Sequence, residues 1–233
     1  MHIAILTFEG FNELDSLIAY AILNRIHRSD WRVSIASPAA RVTSMNGLVI
    51  DSQIDLQQAC AADAVIVGSG MRTREVVADE ALMAQLRLDP ARQLLAAQCS
   101  GTLLLAKLGL LDGVAACTDL TSKPWVQEAG VRVLDQPLFA RGNVATAGGC
   151  LASTYLAAWV IARLLGLDEA RQVAVPVRVP AGDARQAGVG DGVLQVQVQL
   201  LVPPIRVAGQ LGEQPIQPLD LPRQVPLEGA DRE

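Results

Sequence analysis

Over the first 170 residues or so, short apolar runs alternate with helical stripes. "HIAILTF" near the start is a continuous apolar run, the pattern of a strand covered on both faces. "NELDSLIAYAILNRI" follows, with Leu14, Leu17, Ile18, Ala21 and Ile22 on one stripe. It predicts a helix capped by Asn12, with Glu13 and Asp15 in its first turn. "WRVSIASP" predicts a second strand, ended by Pro38. "RVTSMNGLVIDSQ" holds Asn46-Gly47 between β-rich halves, which signals a hairpin.

"DLQQACAAD" predicts a short helix, and "AVIVGSG" a buried strand running into a glycine turn. "TREVVADEALMAQLRL" predicts helix with a break at Asp79. "QLLAAQ" is a strand, and "SGTLLLAKLGLL" a helix stopped by Gly113. "VAACTDL" reads as another strand, and "SKPWVQEAG" as a short helix with Pro124 near its start. "VRVLDQPLFARGNVATAGG" reads as a two-stranded excursion before the long helix "CLASTYLAAWVIARLLG". Alternation of this kind predicts an α/β fold: a mostly parallel sheet with helices on both faces.

The pattern stops near residue 170. No aromatic residue follows Trp159, and eight of the twelve prolines lie between Pro176 and Pro226. "VLQVQVQLLV" alternates like a strand but is flanked by Gly/Asp-rich and Pro-rich text. The expected organisation is therefore one domain over residues 1–170 and an extended or loosely packed tail over 171–233.

Composition narrows the function classes. A chain of 233 residues, 51% hydrophobic and 18% charged, can bury a full core. A net charge of −5 gives no reason to expect nucleic acid as a partner. The start lacks a basic leader, and the most apolar helix meets Arg163 too early to span a bilayer, so neither export nor a membrane is expected. Cys60, Cys99, Cys117 and Cys150 are widely spaced with no CxxC, which predicts free thiols in a cytoplasmic protein and no metal site. No dinucleotide fingerprint comes after the first strand and no P-loop occurs, so no cofactor is implied.

One thiol stands out. Cys99 falls at the joint between a strand and a helix, followed by Ser100-Gly101. Backbone N–H groups there lack partners, and the positive end of a helix favours thiolate. The sharp turn resembles a nucleophile elbow with sulfur in place of oxygen. The plainer reading is a buried structural cysteine. Parallel sheets bind ligands beyond the carboxyl ends of their strands, where Asp15, Ser69-Gly70, Cys99 and Asp119 are expected to converge.

In this order, the acid in "ELD", the turn "VGSG", the elbow "AQCSGTLLLAKLGLLDG", the segment "ACTDL" and "TAGGCLAS" resemble the ThiJ/PfpI family over roughly residues 2–167. That family, within the class I glutamine amidotransferase-like superfamily, includes isonitrile hydratases, glyoxalase-type enzymes, a deglycase and PfpI-type proteases. The resemblance implies a flavodoxin-like three-layer sandwich, usually a homodimer, acting on a small molecule. It implies Cys99 as nucleophile, with Asp15 beside it as a protonated acid. Gly70 and Ser100 would offer backbone N–H groups to a developing negative charge, although Ser69 replaces a glycine usual in the family.

Asp119 stands where many relatives have histidine, and it could serve the substrate or simply cap the next helix. The only histidines are His2, at the wrong end of the sheet, and His27, at the end of the first helix. A Cys–His pair of the peptidase or amidotransferase type is therefore hard to build. Cys117 is expected in or under the pocket, Thr118 beside it, and Trp125 as a wall or as packing. Cys150, after Gly148-Gly149, either has a lowered pKa or packs as a small residue; packing is the preferred reading. The function expected is a cysteine-dependent hydratase or lyase acting on an isonitrile or a small aldehyde. The alternatives are a non-catalytic redox sensor or a degenerate relative.

Overall fold

A computed structural model describes residues 1–174. The expected tail from residue 175 onward lies outside the described residues. Six strands form one sheet in the order β2-β1-β5-β6-β8-β7. They are β1 (His2–Leu6), β2 (Arg32–Ala36), β5 (Ala64–Val67), β6 (Leu94–Gln98), β7 (Leu138–Arg141) and β8 (Val144–Ala147). All neighbours are parallel except β7, which pairs antiparallel with β8. A separate hairpin joins β3 (Arg41–Thr43) to β4 (Val49–Asp51), and Gly47 takes φ +90° in its turn.

The apolar runs bury both faces of the sheet, as their sequence dictates. Side chains alternate along a strand, so Ile3 and Ile5 of β1 enter one core while Ala4 and Leu6 enter the other. The first core lies under α1 (Glu13–Leu23), α7 (Ser153–Leu165) and α8 (Leu167–Ala174). Leu156, Trp159 and Ile161 of α7 are fully enclosed there. Burial of an aliphatic side chain such as Leu156 contributes about 1.5–3 kcal/mol. The second core lies under α2 (Leu56–Cys60), α3 (Thr73–Ala78), α4 (Glu80–Met83), α5 (Gly101–Lys107) and α6 (Lys123–Glu128). The result is the three-layer, flavodoxin-like α/β sandwich with a mostly parallel sheet.

Four local expectations change. In α1 the buried face is Asp15, Ser16, Ala19, Ile22 and Leu23, while Leu14 is exposed. The helix turns its two small polar residues, not Leu14 and Leu17, toward the sheet edge. α5 stops at Leu108, well before Gly113. Gly109 takes φ +72°, and the N–H groups of Gly109 and Leu110 donate to the carbonyls of Ala106 and Leu105, so the chain leaves the helix in a Schellman turn.

"VAACTDL" is not a sheet strand, because β8 occupies the edge of β6 beside which it would pair. Its one strand-like contact is an isolated bridge between Ala116 and Val133. Finally, α8 crosses the boundary drawn at residue 170, and Ala170 and Val173 pack into the first core.

Candidate functional site

β1, β5, β6 and β8 run parallel, so their carboxyl ends at Leu6, Val67, Gln98 and Ala147 share one edge. The chain changes direction across the sheet between β1 and β5, the switch point where such sheets open a crevice. The residues just past these strand ends build the site.

Cys99 comes directly after β6. It is the only non-glycine residue with positive φ, at 46°, among the described residues. A left-handed conformation costs an ordinary residue roughly 1–2 kcal/mol, so the surroundings must impose it. They do so on several sides. The Cys99 N–H donates to the Ala147 carbonyl at 2.8 Å, and its own carbonyl accepts from the Thr118 hydroxyl at 2.8 Å and the Thr102 N–H at 3.1 Å. Gly101 lets the turn sit against β5: a Cβ there would lie 2.6 Å from the carbonyl oxygens of both Val67 and Gly68. The elbow read from Cys-Ser-Gly is therefore present.

Asp15 is fully buried in the first turn of α1, and no other Asp, Glu, Lys, Arg or His is buried among the described residues. Its Oδ2 accepts a short hydrogen bond from the Ser69 hydroxyl, and its Oδ1 has no partner. A carboxylate oxygen of Asp15, the Sγ of Cys99 and the Sγ of Cys150 all lie within 4.8 Å of one another. These three are the one group of three or more His, Cys, Asp or Glu among the described residues whose donor atoms converge enough to hold a metal ion. Each sulfur also receives an amide. Gln98 Nε2 approaches Cys99 Sγ at 3.5 Å while donating to the Gly149 carbonyl at 2.8 Å, and Asn12 Nδ2 approaches Cys150 Sγ at 3.2 Å.

The electrostatics result from crowding acid groups in a dry place. Burial pushes the Asp15 carboxyl above its ordinary value, opposed by hydrogen bonds from Ser69 and then from the two thiols. Burial, followed by the charge of Asp15, pushes Cys99 far up. Burial also raises Cys150 and brings Cys117 up to about 12. Burial and the nearby carboxylate thus act on the Cys99 thiol against the helix terminus, which was expected to favour thiolate. α5 is short, and the desolvation and the neighbouring carboxylate outweigh its dipole. Cys150, for which a lowered pKa was one reading, is likewise raised.

The remaining candidates serve more local ends. The Gly70 N–H is already paired with the Ser100 hydroxyl, at 3.2 Å, and that hydroxyl sits 2.7 Å from Thr73 Oγ1. A Cβ on Gly70 would meet the Gly10 carbonyl oxygen at 2.6 Å, so close packing alone demands glycine here. The Ser100 N–H has no hydrogen-bond acceptor among the described residues. Asp119 closes the turn before α6, accepting the N–H of the N-cap residue Ser122 at 2.9 Å without capping the helix itself, and reaches Asp15 and Cys99 only through its charge. Thr118 holds the elbow backbone. Cys117 is fully enclosed. Trp125 packs against the second core with the Arg74 guanidinium 5.3 Å from its ring centre. His2 bonds Ser34 at the far end of β1, so no histidine stands at the site.

Sequence reasoning missed Gln98 and the thiol contact of Asn12; it placed Ser69 at the strand ends without giving its hydroxyl a role, and it preferred packing as the reading of Cys150. Asn12 was visible as a cap, and it does cap Leu14. Nothing in the spacing announces its second contact, 138 positions away.

Comparison with known proteins agrees with this architecture. An isonitrile hydratase from Pseudomonas putida is 25% identical over 175 residues, covering 74% of this chain and 76% of that protein. A ThiJ/PfpI family protein from Pseudomonas syringae superposes with a TM-score of 0.70 at 19% identity, covering 86% of this chain and 85% of that one. DJ-1 of Schizosaccharomyces pombe gives 0.67 at 14% identity over 77% of this chain and all of that one (100%). A cysteine-to-alanine mutant of a DJ-1 superfamily protein from Salmonella typhimurium gives 0.62 at 25% identity, covering 81% and 98%. The sequence model of the DJ-1/PfpI family matches residues 1–163, and the chain belongs to that family.

Proposed function

We propose that this protein is a cofactor-independent hydratase of small electrophiles, with isonitriles as its substrate class. The observation that carries the reading is the fully buried Asp15 carboxyl set against the Cys99 sulfur, with no histidine alongside. Among the described residues a carboxyl is then the only base within reach of the thiol, and its unpaired Oδ1 is free to take a proton. The likeness to an isonitrile hydratase supports the same chemistry.

Protons and bonds balance at every step. Asp15 takes the proton from Cys99 as sulfur bonds to the isonitrile carbon, then delivers that proton to the same carbon, giving a thioimidate. Water adds to this carbon, with one of its protons carried to nitrogen. The tetrahedral adduct expels the Cys99 thiolate and hands its hydroxyl proton to Asp15, from which the thiol is restored. The products are an N-substituted formamide and the starting enzyme. Leu14, Met71, Leu120 and Leu151 are exposed, and each stands one residue from Asp15, Gly70, Asp119 or Cys150. Such apolar neighbours suit an alkyl or aryl substituent on the isonitrile.

Formamide formation from a simple alkyl isonitrile, with methylglyoxal in parallel, tests the reading. Turnover that disappears in Cys99→Ala supports it, and turnover of methylglyoxal alone moves the substrate class to small aldehydes. Equal rates in the two proteins reject the mechanism. A second reading, thiol-based redox sensing without turnover, is favoured by the presence of another thiol within 4.8 Å of Cys99.

A further inference from the structure

Cys150 has no part in the hydration steps, yet its sulfur lies in the same small cluster as Cys99 and Asp15. We infer that Cys99 and Cys150 are a peroxide-responsive pair that closes into a reversible intramolecular disulfide. The pairing needs no turnover and stands whether or not the protein is a hydratase.

Three features support it. The first is distance. Sulfur atoms within 4.8 Å need to approach by less than about 3 Å to reach a bond of about 2.05 Å. The second is freedom to make that approach. Gly148 is pinned, since a Cβ there would lie 2.3 Å from the Thr118 carbonyl oxygen. Gly149 has open space, with nothing within 4 Å of where its Cβ would be and a φ of +84°, although its carbonyl accepts from Gln98 Nε2 and the Ala152 N–H, both at 2.8 Å. Cys150 opens a three-residue 3₁₀ turn that runs straight into α7, so the approach falls to rotation of its half-buried side chain while Cys99 stays fixed in its elbow. The third is proton handling. Asp15 can accept a thiol proton from either one, and each sulfur receives a side-chain amide that favours its thiolate.

The chemistry closes with a hydroperoxide as oxidant. Cys99 gives its proton to Asp15 and its sulfur attacks a peroxide oxygen, forming a sulfenic acid and releasing an alcohol or water. The Cys150 sulfur then attacks that sulfenic sulfur. An S–S bond forms, the S–O bond breaks, and the hydroxide leaves as water with the Cys150 proton. Two thiols are oxidised and one peroxide is reduced. A dithiol reverses the change. The disulfide diverts Cys99 before it reaches the sulfinate, the irreversible step of the oxidation ladder. Cys60 and Cys117 lie outside the cluster and take no part.

The test is non-reducing peptide mapping of the full chain after brief treatment with hydrogen peroxide and alkylation of the remaining thiols. Cleavage after Lys and Arg leaves the four cysteines in four different peptides. The expected result is one cross-link, between the peptides carrying Cys99 and Cys150, with a loss of about 2 Da. Titratable thiols in the unfolded protein fall from four to two and return with dithiothreitol. In Cys150→Ser the cross-link is lost, and Cys99 gains about 32 Da instead. A sulfinate at Cys99 in the unmodified sequence with Cys150 still free overturns the inference. So does a cross-link that survives in Cys150→Ser, or four thiols left untouched by peroxide. None of these readings uses a substrate, so a failed hydration assay and a failed disulfide are separate results.

Discussion

Replacing Asp15 by Asn should make the protein more stable and less active, and the size of both effects can be argued from the buried carboxyl. The side chain has no solvent exposure, one oxygen bonded to the Ser69 hydroxyl and the other unpartnered. A buried acceptor without a partner costs about 1–3 kcal/mol. Asn removes the charge, keeps one oxygen for Ser69, and puts in place of the unpartnered oxygen an amide group that can donate to the nearby Cys99 and Cys150 sulfurs. That hydrogen bond falls from charge-assisted to neutral, a loss of about 1 kcal/mol. The net gain is about 1 kcal/mol, which for a chain of this size is about 2–4 °C in Tm.

The pH dependence gives the sharper test. Burial raises the folded pKa of Asp15 above its ordinary 3.8. Between the two values the folded state binds more protons than the unfolded one, so wild-type stability falls as pH rises through that window. Asn does not titrate. The stability difference should therefore be near zero in acid, open as pH rises past 3.8, and become constant once folded Asp15 is fully ionised. Thermal and urea unfolding of both proteins, from mildly acidic to neutral pH, measures it. A difference that does not vary with pH, or an Asn variant less stable at neutral pH, refutes the argument. Hydration should meanwhile fall by about 10²–10⁴-fold, the usual worth of a general acid–base group.

Other substitutions test the scaffold. Gly101→Ala places a Cβ 2.6 Å from two backbone oxygens and should cost about 1–3 kcal/mol by urea unfolding, with slower alkylation of Cys99. Gln98→Met removes one of the two donors to the Gly149 carbonyl, the Ala152 N–H remaining, and also removes the unpartnered Gln98 Oε1, so thermal melts should shift by no more than about 1 kcal/mol. Asp119→Asn keeps an oxygen for the Ser122 N–H, so stability should change little; removal of its charge should move the Cys99 alkylation profile toward lower pH. An unchanged profile would remove Asp119 from the electrostatics of the site.

Legibility in the sequence tracked the range of the interactions. Continuous apolar runs such as "AVIV" announce doubly covered strands, because burial on both faces leaves no polar position. The elbow is legible because Cys-Ser-Gly at a strand-to-helix joint is a local signal, although the contacts that hold Cys99 left-handed come from Ala147, Thr118 and β5. "VAACTDL" has strand composition too, yet pairing is settled by competition for an edge: β8 takes the place beside β6. The same placement of β8 brings Cys150 to Cys99 across 51 positions of chain, which no spacing rule foretells. The opposing pull on the Cys99 proton was hidden for a related reason. A helix terminus can be read from sequence, but the burial that opposes it depends on the whole fold.

The central claim is that Asp15 carries the proton of Cys99. The rate of alkylation of Cys99 by iodoacetamide against pH, followed by mass spectrometry of its peptide in wild type and Asp15→Asn, tests this most directly. The account predicts a wild-type profile with an acidic limb set by Asp15 ionisation and a second rise in strong alkali, and an Asn profile that keeps the alkaline rise alone. Two superimposable profiles would contradict it.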